Sequence, residues 1–269
     1  MATKDKTVRL PVLGSLGGWA ARAFGILLFF VGWVALASVF PEDLLPFPQE
    51  TLLLAWEFTA SGSVWPHLAA TLSRIFWGFL GGMAVGVFMG VQMGISDYQR
   101  KFLTPHVMLS LSIPHISWGI TATLIFGYDI LAPIVATILV VFPFVAVNVW
   151  KGVENIDGDL LKMSQSFDLS FSRTVRRIIL PNIAPSLFSG SRLGLAMSWK
   201  AVTITEMFAA SSGLGYKIIE SYESIYFERA WAWVVIAMVV ILLIEYGIFK
   251  PLQRRVFEYR QDADFTMLG

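Results

Sequence analysis

Arg74, Arg192, Lys200 and Glu206 are charged side chains inside long apolar stretches of this sequence. A charge at membrane depth is costly and marks a path for ions or solutes, a buried partner or a helix end. With Arg192 at zero on a wheel of 100° per residue, Trp199, Thr203 and Glu206 fall within about 40° of it, and Lys200 about 80° away. Arg192 and Glu206 are roughly 21 Å apart along a helix axis, so each needs another partner or water. The cationic excess leans toward an anionic or zwitterionic solute. Arg74 reads equally well as a side chain snorkelling to the interface or as a solute contact. Glu206 reads as a path group or as a packing group.

Catalytic chemistry is poorly represented. His67, His106 and His115 lie apart without metal-ligand spacing, and each is read first as a local hydrogen-bonding group. Cysteine is absent, which excludes disulfides, thiolate metal sites and thiol nucleophiles. There is no H-E-x-x-H, no G-x-S-x-G and no Walker A loop, so this chain does not itself hydrolyse ATP. His115, Ser117 and Trp118 sit in a stretch interrupted by Pro105 and Pro114, which makes them candidate path residues. A packed histidine with a backbone partner is the competing reading for His115.

The elements that must position these groups are membrane helices. Of 269 residues, 56% are hydrophobic and 14% charged, with a mean hydropathy of +0.66; this is an all-α integral membrane composition in a single domain, surrounded by lipid. Six spans are expected, at about 23–40, 68–94, 102–127, 130–150, 183–209 and 230–249. The first follows positive charge but exceeds the roughly 7 to 15 residues of a signal-peptide core, and is read as retained. A short surface helix is expected over 49–60, a tight outer turn at Asp129, and an outer loop over 211–229. Gly78, Gly82, Gly86, Gly90 and Gly94 recur every fourth residue in the second span, a ridge for close helix packing.

Outside the spans, every lysine and arginine except Lys217 and Arg229 then falls on one side, including Lys4, Lys6, Arg9, Arg254, Arg255 and Arg260. That asymmetry puts both termini in the cytoplasm. Because the basic residues are sorted by membrane side, the net charge of +1 indicates no nucleic-acid partner.

Between the fourth and fifth spans lies a polar, basic cytoplasmic segment, 151–181. Leu160, Met163, Ser164 and Phe167 follow helical spacing there and give a short amphipathic helix with an apolar edge that no lipid needs. The segment resembles the signature loop of binding-protein-dependent ABC importer permeases, E-A-A, three residues, G, nine residues, I-x-L-P. Ile178, Leu180 and Pro181 match its close, whereas Lys162, Met163 and Ser164 stand for E-A-A and Asp168 for glycine. The likeness extends to R-x3-G-x3-G (Arg74, Gly78, Gly82), to a proline-rich third span ending in Phe126-Gly127, and to Glu206 followed by SSGLGY at 211–216. That last run is similar to the branch importing nitrate, taurine and other sulfonates, and bicarbonate. The third span departs from the branch pattern P-I-P-P-L-A-L-I-P: it reads SIPHISWGI over 112–120, with His115 and Ile120 in place of prolines.

The resemblance implies a type I importer fold in a prokaryotic inner membrane. It implies a second permease copy or homologous permease, two cytoplasmic ABC ATPase subunits that bind ATP and Mg, and an extracytoplasmic solute-binding protein. The helix at 159–168 would dock in the ATPase through Leu160, Leu161, Met163 and Phe167, with Lys162 and Asp168 altering the usual docking geometry. An ion-coupled secondary transporter is the alternative; such proteins show repeated halves or interrupted helices around an ion site, and no repeat is visible.

Overall fold

The glycine ridge decides how the centre of the molecule packs. The computed structural model describes residues 18–128 and 130–251. In it the ridge lies on α3 (Val64–Ile95) and faces α6 (Leu131–Glu154). Gly78, Gly82, Gly86, Gly90 and Gly94 stand against Thr137, Val141, Val145, Val149 and Val153 in turn, so the two helices run parallel with every fourth residue of each in register. A Cβ at Gly82 would lie 2.6 Å from Val141 Cβ, and one at Gly86 would lie 2.6 Å from the Phe142 carbonyl oxygen. In a bilayer no hydrophobic force draws helices together, and close backbone approach of this kind supplies the dispersion that does.

The opposite side of α6 receives α9 (Leu180–Ala209) by the same device, now antiparallel. Ser186 meets Gly152, Gly190 meets Asn148 and Gly194 meets Val141. Thus α6 is the spine, with Val141, Val145 and Val149 fully buried between two partners.

Around this core run α1 (Gly18–Ala37), α2 (Pro48–Ala60), α4 (Asp97–Ser112), α5 (His115–Phe126), α7 (Gly158–Ser166), α8 (Phe171–Thr174), α10 (Leu214–Glu223) and α11 (Phe227–Ile244). The short helix expected over 49–60 is α2, which packs with α10 against α11. Trp33 and Trp231 tie α1 and α11 to the 41–47 linker by indole hydrogen bonds to Pro46 O and Leu44 O. Single-turn π segments, Val175–Ile179 and Glu245–Phe249, precede α9 and follow α11.

Among the described residues, four helical stretches are long and apolar enough to cross a membrane: Ala20–Ala37, Val64–Ile95, Leu131–Glu154 and Phe227–Gly247. A fifth is counted if α4 and α5 form one span. The chain is therefore an all-α, multi-pass membrane protein. The proline-interrupted stretch expected as the third span bends by 98° between α4 and α5. Pro105 is accommodated inside α4, whereas the break comes at Ile113-Pro114, where the residue before proline is pushed out of the helical region, with Ile113 at ψ 127°. The outer loop expected over 211–229 contains α10, whose Leu214 is fully buried against Trp199, Val202 and Trp233. The tails bearing Lys4, Lys6, Arg9, Arg254, Arg255 and Arg260, and the turn at Asp129, lie outside the described residues.

Candidate functional site

Glu206, three residues before the end of α9, is fully buried, and its carboxylate is completely engaged. Arg74 Nη1 lies 2.6 Å from Oε1, Thr71 Oγ1 is 3.0 and 2.9 Å from the two oxygens, and the Gly215 amide donates to Oε2 at 3.0 Å. The same guanidinium reaches the carbonyl and hydroxyl of Ser212 at 2.6 and 3.0 Å, while Leu214 N–H donates to Thr71 Oγ1 at 2.8 Å. One buried ion pair therefore clamps α3, α9 and the start of α10.

The glycines of the SSGLGY run are what let the clamp close. Gly213 has φ +115°, and a Cβ there would strike the Glu206 carboxylate. At Gly215 a Cβ would collide with the Thr203 carbonyl oxygen. Only glycine allows both the backbone conformation and the approach of the amide to the buried charge. Burying two charges is tolerable here because both carboxylate oxygens and both terminal guanidinium nitrogens have partners, Arg74 Nε alone of that group having none among the described residues. In this arrangement Glu206 is buried with Arg74 as its counterion, and Arg74 does not snorkel to the interface. Trp199 and Thr203 lie on the same inward side, Trp199 in the apolar cluster with Leu214 and Trp233.

Arg192 finds its partner in Glu245, at the start of the π segment after α11. The pair lines a cleft of about 620 Å³ between α9 and α11, with Trp199, Phe188 and Ile75 in its walls. Lys200 is not among the cleft's lining residues, but it is exposed on the same side of α9 as Ser189 and Leu193, which do line it, and it makes no ion pair among the described residues. His115, at the start of α5, lies within electrostatic reach of Lys200 and packs its ring 6.4 Å from that of Phe144. Ser117 is half-buried in the first turn of α5, and Trp118 Nε1 reaches back across the bend to Ser110 O at 3.5 Å. The sequence-nominated residues thus divide. Lys200 lies within electrostatic reach of His115, Arg192 and Trp199 line the cleft, and Glu206 is held in the clamp with the Thr203 carbonyl close to Gly215.

The segment before α9 shows a second surface. Leu160 is half-buried against Ile156, Ile178 and Ile179, in a cluster continuous with the valines of α6. Met163 and Phe167 point away from the body, 51% and 72% exposed. Leu180 is exposed, and Pro181 occupies the first turn of α9, where its missing N–H costs nothing. The side chains of Leu161, Lys162 and Ser164 lie outside the described part of the structure. Asp168 has φ +46°, the left-handed conformation that glycine adopts most readily and aspartate tolerates. The backbone at Asp168 thus takes the conformation for which a glycine is suited.

Sequence reasoning missed Thr71 and Glu245, and it read His67 only as a local hydrogen-bonding group, whereas its partner is the distant Gly213 amide. An acid near the end of an apolar run was the available signal for Glu245. Nothing local pointed to Thr71.

Residues 82–258 match the family described as binding-protein-dependent transport system inner membrane component. Among curated relatives, the chain is similar to an aliphatic sulfonates transport permease protein, SsuC, of Bacillus subtilis, described as putative, at 27% identity over 84% of this chain and 82% of that protein. It is also similar to the taurine transport system permease protein TauC of Escherichia coli, at 27% identity over 86% of each. Among solved structures, an inward-facing conformation of the MetNI methionine ABC transporter superposes with a TM-score of 0.58 at 24% identity, covering 72% of this chain and 94% of that one. At that identity the likeness concerns the fold.

Proposed function

Because this chain belongs to the family of binding-protein-dependent transport system inner membrane components, we propose that the open side of α9, with Lys200 on it and His115 beside it, lines the solute path. By family the protein is the membrane-spanning permease subunit of an ABC-type importer, a non-catalytic subunit of the inner membrane that takes up a small solute delivered by a binding protein. ABC ATPase and solute-binding protein partners are typical of such systems.

The exposure of Lys200 carries the reading. Lys200 stands about 30 Å along α9 from Leu180 and about 14 Å from Ala209, well within membrane depth. A lysine turned toward hydrocarbon there costs about 2.5–3.5 kcal/mol on insertion scales. An uncovered lysine at this depth belongs in a water-filled path, closed on its far side by a second copy or a homologous permease. Its charge favours an anionic or zwitterionic solute, in keeping with relatives that carry sulfonates and taurine.

In this reading the four apolar helices, the bent α4–α5 pair and α9 make six crossings, with both termini in the cytoplasm. Met163 and Phe167 of α7 dock in the ATPase. Leu160, Ile178, Leu180 and Pro181 join that helix to α9, so ATP-driven movement of the docked helix shifts the path-lining face between inward-open and outward-open states.

The test is reconstitution with the cognate ATPase and binding protein in proteoliposomes. Lys200→Gln should lower solute-stimulated ATP hydrolysis and uptake by about tenfold or more, the loss of one charge-assisted contact, with assembly intact and partial recovery in Lys200→Arg. Undiminished uptake by Lys200→Gln would refute the path assignment. Uptake driven by an ion gradient without ATP would favour the secondary-transporter alternative.

A further inference from the structure

A second site lies away from α9's open side, at the amino-terminal end of α3. There α2, α3, α10 and α11 line a half-open cavity of about 410 Å³, with Phe58 and Trp233 stacked in its wall at a centroid separation of 5.0 Å. His67, Lys217, Arg229 and Glu220 bring charge and hydrogen-bonding capacity to it. Gly213 N–H donates to His67 Nδ1 at 3.2 Å, which fixes the tautomer and leaves Nε2–H as a donor. The Lys217 ammonium pairs with Glu220 and sits 5.9 Å from the Trp233 ring centroid. The Arg229 guanidinium rests on the Tyr226 ring at 4.7 Å and has no carboxylate partner among the described residues. Two cations and an imidazole donor therefore face one carboxylate.

We propose that this cavity binds a small oxyanion, a sulfonate, sulfate, carboxylate or phosphate, and that its occupancy tightens the Arg74–Glu206 clamp. The unbalanced positive charge selects an anion, and Phe58 and Trp233 accommodate a short apolar body. A pocket of this volume has room for a small oxyanion with a short organic body. Coupling runs through His67. An anion accepting from Nε2–H makes Nδ1 a stronger acceptor, as a carboxylate does behind a metal-bound histidine. Nδ1 holds Gly213, and the residues on either side of Gly213 are held by Arg74, Thr71 and, through Gly215, Glu206. The site is independent of the solute path, because Lys200 is not among its lining residues.

The test uses the full-length permease assembled with its ATPase in nanodiscs, titrated with sulfate and methanesulfonate against chloride at constant ionic strength. Either oxyanion should raise the unfolding temperature saturably. Half-saturation should weaken roughly tenfold in Arg229→Gln and in Lys217→Gln, the loss of one charge-assisted contact each, and stay unchanged in Lys200→Gln. Sulfate should slow amide exchange over 212–215 in the wild type but not in His67→Phe, which keeps the ring volume. No saturable effect of either anion overturns the proposal. So does an effect lost in Lys200→Gln and kept in Arg229→Gln, which assigns the anion to the path. Equally, if Arg229→Gln binds sulfate normally but loses capture of the binding protein, the cavity is a socket for a partner's acidic side chain and the proposal fails.

Discussion

Arg74 Nη1 lies 2.6 Å from Glu206 Oε1, both side chains buried, across 132 residues of sequence. Removing one partner leaves the other as an uncompensated buried charge, at a cost of about 3–5 kcal/mol, whereas replacing both by apolar groups of similar size can be nearly neutral. Arg74→Met and Glu206→Leu should each lower the unfolding temperature sharply in detergent. The double variant should recover a large part of the loss, although the SSGLGY amides left unpaired keep it below the wild type. Equal losses in the singles and the double would remove the pair from its role as a clamp.

The ladder between α3 and α6 predicts different outcomes for neighbouring glycines. A Cβ at Gly82 meets the Val141 side chain at 2.6 and 2.7 Å, and the nearest backbone atom is 3.4 Å away. A Cβ at Gly86 meets the Phe142 carbonyl oxygen at 2.6 Å as well as Val145. Both Gly→Ala changes should destabilise by about 1–3 kcal/mol through overpacking. Val141→Gly, which removes the Cβ at 2.6 Å as well as the Cγ atoms, should rescue Gly82→Ala in part in thermal unfolding. Val145→Gly should not rescue Gly86→Ala, because the Phe142 carbonyl oxygen stays in place. Gly25→Ala, with nothing within 4 Å of its Cβ, is the neutral control.

These two cases mark what a sequence carries and what it withholds. The spacing of the glycines is a local periodicity, so the ridge was legible, though its partner on α6 was not. The polar face of α9 was legible in the same way, and so was the need of Arg192 and Glu206 for separate partners. Which partners they took depends on tertiary placement, and no spacing links Glu206 to Arg74 or Arg192 to Glu245. The helix α10 was hidden because Ser211, Ser212 and Gly213 read as loop punctuation; the apolar side of Leu214 and Ile218 that follows is only two turns long. Pro105 and Pro114 looked alike in sequence. One sits within α4 and the other ends up at a 98° bend.

Glu220, on α10 outside the membrane helices, gives a pH prediction. Burial alone pushes its carboxyl up, but hydrogen bonds from the Lys217 ammonium and the Tyr216 hydroxyl, together with the charge of Lys217, bring it below the ordinary value of 4.5. A carboxylate depressed in the folded state stabilises that state fully above its unfolded value and loses this contribution as pH falls through the folded value. The unfolding temperature should therefore show no Glu220-dependent change between pH 7 and about 5, and a decline below about 4.5 that is shallower in Glu220→Gln. Identical acid limbs in the two proteins would exclude Glu220 as a source.

Asp168 closes α7 at φ +46°, where the importer signature carries glycine. For an L-residue the left-handed region costs about 1–2 kcal/mol, less for aspartate because its short side chain can bond to nearby backbone. Asp168→Gly should leave the turn in place, raise stability by at most about 1 kcal/mol, and leave ATPase affinity unchanged. Asp168→Val, β-branched, should resist the conformation, displace the exposed Met163 and Phe167 and weaken ATPase capture measured by co-purification. Lys162→Glu separates backbone from side-chain effects. If it alters ATPase affinity while Asp168→Gly does not, then the partner reads the charge at the opening of the signature and not the shape of its turn.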